Sequence, residues 1–337
     1  MPSAPLVSVI VPSYNHELYV KHTIDSILEQ DYPNIELLIL DDGSRDNTYQ
    51  ILTQLKPTCE KRFKRVLLQK QVNQGTARTL SNLVAQCQGK YILVCASDDL
   101  LVSNCISQQV KVLEENPTFV QTLPDNYFID AKGLPLERSR NQDDTYYALG
   151  TQKGNFHTFA SFWKAAMQGT DLNINNFHTY ASLLKKHCFL NGSLWRTDVA
   201  RNFFPLPTIR PLAEDWYINL QFSKFGKVQF IDIPLFKYRI HHKQTIANLP
   251  LLQKNDENLF LAELAQISKP GQEKWKKICH QVWFTPQTIK KGVRFLYLER
   301  LTCFVFSQRN LVIFGVKIHL HTRYKHKVPD WYIYPQS

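Results

Sequence analysis

The chain has no CxxC pair, and its seven cysteines are odd in number. That pattern argues against a disulfide framework and a Cys-rich zinc site, and fits reduced thiols in a cytosol-like compartment. Nowhere do ~18 apolar residues follow one another, so a membrane-spanning helix is not expected. The best candidates, Leu301 to Phe306 and Leu311 to Val316, are short and interrupted by Ser307-Gln308-Arg309-Asn310. No basic segment or cleavage site precedes the strand-like run that starts at Leu6, which speaks against a signal peptide. Signature motifs are missing too. No GxGxxG follows the first strand, which disfavours a dinucleotide-dependent oxidoreductase. No GxxxxGK(S/T) occurs, which disfavours a P-loop NTPase. GxSxG and HExxH are also absent.

What is there supports a folded α/β protein. Hydrophobic residues make up 44% and charged residues 20%, enough apolar content to bury a core. A chain of 337 residues suits one large domain, or one of ~200–250 residues with an appendage. Lys+Arg is 40 against Asp+Glu 29, a net of +11. Such a balance points to a polyanionic partner: nucleic acid, an anionic membrane or a phosphorylated ligand.

The first 130 residues alternate strand and helix patterns. Leu6–Val11, Ile35–Leu40, Val66–Leu68 and Tyr91–Cys95 read as strands. Val20, Ile24, Ile27 and Leu28 form a helical face within 17–30. Asp46 is placed to cap a helix ending near Lys56, before Pro57. Thr76 to Cys87 reads as a helix closed by Gly89, and Ser103 as the cap of a helix to about Asn116. The alternation predicts a mostly parallel sheet covered by helices, with ligands beyond the carboxyl ends of the strands. Four polar clusters follow those ends: Ser13-Tyr14-Asn15, Asp41-Asp42-Gly43-Ser44, Asn73-Gln74-Gly75 and Ser97-Asp98-Asp99. From 131 to 190 the periodicity weakens, with a helix near 156–168. A helix over 214–225 ends at Gly226, and strands follow at 228–233 and 238–241.

Asp98-Asp99 carries the sharpest chemistry. Adjacent carboxylates at a buried strand end repel unless a cation or donor lies between them, and a few oxygen ligands suit Mg²⁺ or Mn²⁺. The plain alternative is a solvated turn. Asp41-Asp42 is a common turn sequence or an acceptor for a base or ribose. Asn73-Gln74-Gly75 could present N–H groups to a phosphate. Glu214-Asp215 opens a helix, where carboxylates also serve the macrodipole. His241 and His242 are candidate ligands or surface histidines.

The run Val7–Asn15, then Ile27–Glu36 and Asp41–Asp46, closely resembles the start of the family 2 inverting glycosyltransferases of the GT-A fold. Asn73-Gln74-Gly75, Gly89-Lys90-Tyr91-Ile92 and Ser97-Asp98-Asp99 continue the resemblance in order. Ala213-Glu214-Asp215 and Tyr238-Arg239-Ile240-His241 resemble the later motifs, so it covers residues 5–245. The residues from about 255 onward read separately as a basic, aromatic, helical C-terminal extension. The resemblance implies a Rossmann-like, mostly parallel sheet flanked by helices. It implies that Pro12, Tyr14 and Asp42 line the base pocket, Asp41 supports it, and Asn73, Ser97 and Asp98 complete the nucleotide side. Asp98, Asp99 and His241 are the implied metal shell for Mn²⁺ or Mg²⁺, and Asp215 the implied general base. The donor is expected to be a UDP-sugar, and the acceptor a saccharide or lipid-linked saccharide in bacterial polysaccharide assembly. One departure is Ala96, where many members carry Asp.

Two other readings compete. A nucleotidyltransferase would carry a Gly-rich, basic loop where this chain has Ser13-Tyr14-Asn15-His16. A non-catalytic nucleotide- or nucleic-acid-binding protein has no need of Asp42, Asp98 and Asp215 together, so a nucleic-acid partner is disfavoured. The expected domains are 1–254, with a nucleotide half (1–130) and an acceptor half (131–254), and an extension from 255 to 337. Residues 271–337 hold eight Lys and four Arg against Glu273, Glu299 and Asp330, a net of +9, with Trp275, Trp283 and Trp331 among them. Basic residues interleaved with aromatics suit an anionic membrane surface, and a packed lid with a basic outer face is the alternative. The expected location is cytoplasmic, peripheral on the inner face of the membrane.

Overall fold

Two strands with no polar face lie side by side toward one end of the sheet. β1 (Val7–Ser13) and β2 (Ile35–Asp41) are buried over nearly their whole length and pair in parallel, from Val7 beside Ile35 to Ser13 beside Asp41. Such runs arise when helices cover both faces of a parallel sheet. β3 (Arg65–Lys70) adds to β2, and β4 (Tyr91–Val94) adds to β1, both in parallel. These and the other elements come from a computed structural model. It describes residues 4–138, 146–148, 156–166, 191–207, 214–241 and 244, and strand segments 294–298, 301–305, 310–313 and 316–319.

Beyond β4 the sheet becomes mixed. β5 (Leu100–Leu101) and β6 (Phe119–Ile129) follow in the chain, then β7 (Pro135–Arg138), β8 (Tyr146–Ala148), β9 (Leu194–Arg196) and β10 (Lys227–Arg239). β9 lies antiparallel between β4 and β6, and β10 runs parallel to β6 with β5 antiparallel on its other side. The order is β3-β2-β1-β4-β9-β6-β10-β5, with β7 and β8 branching from β6. Two antiparallel steps restore direction, so β1, β2, β4, β6 and β10 all point their carboxyl ends to one edge. β10 joins the two strands expected at 228–233 and 238–241, passing Pro234 through a register shift.

The helices follow the apolar spacing. α1 (Val20–Leu28) buries Val20, Thr23, Ile24 and Ile27, and α3 (Thr76–Gln86) buries Leu80, Leu83 and Val84. α2 (Thr48–Arg62) continues through Pro57, where a stop is expected. Proline removes one helical hydrogen bond, but Cys59 and Phe63 beyond it are buried, and their packing carries the chain onward. α4 (Cys105–Glu115) starts after Asn104 rather than at Ser103, whose carbonyl instead accepts from Asp31 N. α5 (Phe159–Ala166), α6 (Thr197–Ala200) and α7 (Glu214–Phe225) complete the helices of the described residues. One core cluster joins Val7, Val9 and Val11 of β1 to Ile24, Leu52, Ile106 and Leu113 on α1, α2 and α4. Cys59, Cys87, Cys95 and Cys105 are buried free thiols. Burial pushes Cys59 up to about 11 and Cys87 up to about 12, which keeps both protonated.

The chain divides into two compact units. One comprises Met1–Leu183, Cys188–Thr208 and Glu214–Gln244; the other Leu184–His187, Ile209–Ala213 and Thr245–Ser337. Within the second, the described elements are two antiparallel hairpins. β11 (Arg294–Leu298) pairs with β12 (Leu301–Val305), and β13 (Asn310–Ile313) with β14 (Val316–His319). A helical extension is expected over 255–337, and its described segments are strands instead. Short apolar runs do not distinguish strand from helix by periodicity, and Phe304, Val305, Val312 and Ile313 favour strand. The remaining expectations on 271–337 and His242 lie outside the described residues. No helix among the described residues is long and apolar enough to cross a membrane.

Candidate active site

The sheet edge defined by the carboxyl ends of β1, β2 and β4 is stitched together by polar loops. After β1, Asn15 adopts a left-handed backbone (φ 53°), a conformation that Asn tolerates better than most residues. Its N–H donates to Ser44 Oγ (2.9 Å) and its Oδ1 accepts from Arg45 N (2.9 Å). His16 N donates to Thr48 Oγ1 (2.8 Å), and Glu17 N to Asp46 Oδ2 (3.1 Å). The loops after β1 and β2 are thus one hydrogen-bonded body.

Asp41 and Asp42 face different tasks. Asp41 is fully buried; its Oδ1 accepts from Ser44 N at 2.9 Å, with Lys70 Nζ 3.9 Å away. Its Oδ2 and the Oγ of its register partner Ser13 are buried without a hydrogen-bond partner among the described residues. Asp42 accepts Gln71 Nε2 and Gln74 N on Oδ1 and Gly75 N on Oδ2, each at 2.8 Å. It therefore clamps the loop that leads into α3. Gly43 lies at the closest approach: a Cβ there would sit 2.9 Å from Asn73 N, at φ +78°. Asn73 is exposed, Tyr14 is 40% exposed at the end of β1, and Pro12 is half-buried within it.

A second group gathers where β4 and β10 end. Asp98 is buried, and its Oδ2 lies 3.0 Å from His241 Nε2 and 3.6 Å from His16 Nε2. His16 Nδ1 in turn is 2.8 Å from Ser97 Oγ. Rings enclose the group: Tyr19 lies 4.6 Å from His241, and His16 stands at 88° to it with centroids 5.7 Å apart. Burial raises the Asp98 carboxyl, but the His241 hydrogen bond and the charges of His16 and His241 outweigh it, leaving it below the usual carboxylate range. His241 Nδ1 is buried with no partner among the described residues.

Asp99, expected beside Asp98 in the metal shell, faces elsewhere. Its Oδ1 accepts from Arg239 N at 2.8 Å, and its carbonyl accepts Thr23 Oγ1 at 2.8 Å. Burial, then the neighbouring Asp98 charge, pushes its carboxyl well above the ordinary value. Arg239 is itself 1% exposed; Nε donates to Asp98 O (2.7 Å) and Nη1 to Asp130 O (3.1 Å) and Ala131 O (3.2 Å). The groups that come together are His16, Asp98 and His241, each with a ligand atom within 4.8 Å of the others. One carboxylate oxygen and two imidazole nitrogens fit a divalent cation. Asp215 lies in the first turn of α7, half-buried, with Oδ1 accepting from Trp216 N at 2.8 Å.

Sequence comparison decides the family. The profile of Glycosyl transferase family 2 matches residues 8–173, about half of the chain, and spans this edge from β1 through Asp99. These residues belong to glycosyltransferase family 2. An uncharacterized glycosyltransferase of Haemophilus influenzae is 28% identical over 246 residues, 73% of this chain and 68% of that protein. A Bacillus subtilis protein named for teichuronic acid biosynthesis, the glycosyltransferase TuaG, is 36% identical over 136 residues, 40% of this chain and 52% of its own length. The chain thus spans about half of this second relative. Solved structures agree on the fold. Staphylococcus aureus TarS 1–349, in complex with UDP-GlcNAc, aligns with TM-score 0.55 at 16% identity over 84% of this chain and 74% of that one. The mannosyltransferase PcManGT of Pyrobaculum calidifontis, in complex with GDP-Man and Mn²⁺, aligns with TM-score 0.56 at 16% identity over 84% and 71%. The architecture is that of GT-A glycosyltransferases.

One member of the family-2 edge escapes a motif reading. His16 follows Ser13-Tyr14-Asn15 directly, yet its carboxylate neighbour Asp98 is 82 positions away in the chain. The available signal was its place after β1, at an edge where polar clusters converge.

Proposed function

We propose that this chain transfers a sugar from a nucleotide-sugar donor, a UDP-sugar, to a hydroxyl of a saccharide or lipid-linked saccharide, inverting the anomeric centre. The observation that carries the reading is the His16–Asp98–His241 group, with Asp98 and His241 buried, at the carboxyl edge of a family 2 sheet. TarS bound to UDP-GlcNAc and PcManGT bound to GDP-Man and Mn²⁺ lend support by fold. Residues 1–130 then form the nucleotide side and 131–254 the acceptor side of one catalytic domain. The unpartnered Ser13 Oγ and Asp41 Oδ2 suit a polar ligand edge, with Tyr14 at its rim.

Asp98 and His241 would hold a divalent cation, Mn²⁺ or Mg²⁺, which supplies countercharge to the leaving diphosphate. Asp98 stays charged beside the two histidines, and Arg239 fixes its backbone through the 2.7 Å bond to its carbonyl. Asp215 takes the proton of the acceptor hydroxyl as that oxygen attacks the anomeric carbon. The bond from that carbon to the phosphate oxygen breaks on the opposite face. One such displacement inverts the configuration. TuaG, named for teichuronic acid biosynthesis, supports a cell-envelope polysaccharide as the destination. The basic, aromatic residues 271–337 would hold the enzyme at the inner membrane face, near a lipid-linked acceptor.

A panel of nucleotide-sugars with Mn²⁺, followed by NMR of the product's anomeric proton, tests the reading. Retained configuration would sink the single displacement. Asp215→Asn should cut transfer by roughly 10²–10⁴, the usual worth of a general base, with UDP affinity unchanged by calorimetry. Near-normal transfer in that variant would remove Asp215 from the role.

A further inference from the structure

In the reaction proposed above, Asp98 and His241 are the residues that would hold the cation, and His16 lies beside them. We propose that His16 is a third protein ligand to the same ion, held in place by Ser97, and that it makes the site prefer a nitrogen-accepting transition ion over Mg²⁺. The inference rests on the metal-assisted reading above and says which ion that reading requires.

Four observations lead there. His16 and His241 approach the same carboxylate oxygen, Asp98 Oδ2, at 3.6 and 3.0 Å. They arrive from separate elements, the loop after β1 and the end of β10, so their convergence is a product of the fold and not of local sequence. The His16 ring is held at its far nitrogen: Nδ1 meets Ser97 Oγ at 2.8 Å, while the backbone N–H is fixed on Thr48 Oγ1 at 2.8 Å. A neutral imidazole that donates from Nδ1 to a hydroxyl presents its Nε2 lone pair forward, and here forward is Asp98. That is the arrangement by which an outer partner sets the tautomer of a ligating histidine. Asp99, the neighbouring carboxylate, is withdrawn onto Arg239 N, so the donor set gains nitrogen where a second oxygen was expected.

The chemistry of that set is selective. Mg²⁺ demands oxygen ligands in near-ideal octahedral geometry and retains its waters. Imidazole suits first-row transition ions, whose affinity for such sites rises from Mn²⁺ to Cu²⁺ and stays above Mn²⁺ at Zn²⁺. Two imidazoles and one carboxylate leave positions open for diphosphate oxygens and water. Ser97, expected to touch the nucleotide, is in this account a positioning residue acting through His16.

The test uses the full chain with MnCl₂, with and without UDP, and spin-echo modulation to count bound imidazole nitrogens. Wild type should show two ¹⁴N couplings and His16→Ala one. His16→Ala should lose at least about tenfold in Mn²⁺ affinity, with little change for Mg²⁺ measured by competition. Ser97→Ala should lose about tenfold, as outer-shell changes commonly do. Circular dichroism checks that each variant is folded, and His16→Gln serves if the alanine variant is not. One nitrogen in wild type, or an unchanged Mn²⁺/Mg²⁺ preference in the folded His16 variant, overturns the inference and leaves the reaction standing. A wild-type protein that binds no Mn²⁺ with or without UDP overturns both.

Discussion

Replacing Asp42 by Asn alters one atom's chemistry and almost nothing of its shape. Three N–H donors point at the two oxygens of this carboxylate: Gln71 Nε2 and Gln74 N at Oδ1, Gly75 N at Oδ2, all at 2.8 Å. An amide has one oxygen. In its better orientation the oxygen keeps Gln71 and Gln74, and the NH₂ group faces Gly75 N, donor against donor. One backbone N–H beside a buried side chain is then left without a partner, at about 1–3 kcal/mol. Taking ~2 kcal/mol, a domain of this size loses roughly 4–8 °C in thermal midpoint. The measurement is a melt followed by circular dichroism on Asp42→Asn without nucleotide. UDP affinity should fall too, because the 71–75 loop is released. A ligand-free midpoint equal to wild type, with weakened UDP binding, would refute the clamp and assign the carboxylate to the ligand alone.

Arg239→Met should be the more damaging change. It strips donors from the carbonyls of Asp98, Asp130 and Ala131 and removes the cation near buried Asp99, at about 3–5 kcal/mol. An unchanged urea midpoint would contradict that role. Asp125 gives a pH test. Burial holds its carboxyl above the ordinary value, so the folded chain binds more protons than the unfolded one between those two values. Stability therefore falls as pH rises through that window, and the deficit persists above it. Asp125→Asn retains the acceptor for Ala160 N (2.7 Å) and Asn126 N (2.8 Å) and cannot ionise. Its advantage in urea melts should grow from pH 4 to 7; a pH-independent difference would refute the assignment. Liposome flotation on anionic vesicles should retain the full chain and lose a chain ending at residue 270, and equal flotation would remove the membrane role.

Several helices were legible because their signals are local. Helix α3 shows its apolar spacing and Gly75 and Gly89 mark its ends; α7 is bounded by Glu214-Asp215 and Gly226. Pro57 misled because core burial of Cys59 and Phe63 overrides a local breaker. The place of β9, antiparallel between β4 and β6, could not be read from alternation, since Leu194 pairs with Leu93 and Thr122 far away in the chain. The site shows the same division. Asp98 and His241 lay in recognisable motifs, whereas the turning of Asp99 onto Arg239 N depends on a contact 140 residues apart. The C-terminal hairpins were hidden by runs too short to separate strand from helix.

The junction of Asp98 with β10 has a consequence for the newborn chain. His241 leaves the ribosome 143 residues after Asp98, which at ~5–20 residues per second is roughly 7–30 s. Throughout that interval the turn at residues 97–99 lacks both the imidazole and the guanidinium that later organise it. The loops after β1, β2 and β3 can close on one another early, because their bonds join residues of the first quarter of the chain. On the metal-assisted reading proposed above, cation capture would wait for β10 to dock between β5 and β6. On that reading, a polypeptide cut short before His241 lacks one of the proposed ligands, and Mn²⁺ affinity would report whether β10 and the residues just after it are in place.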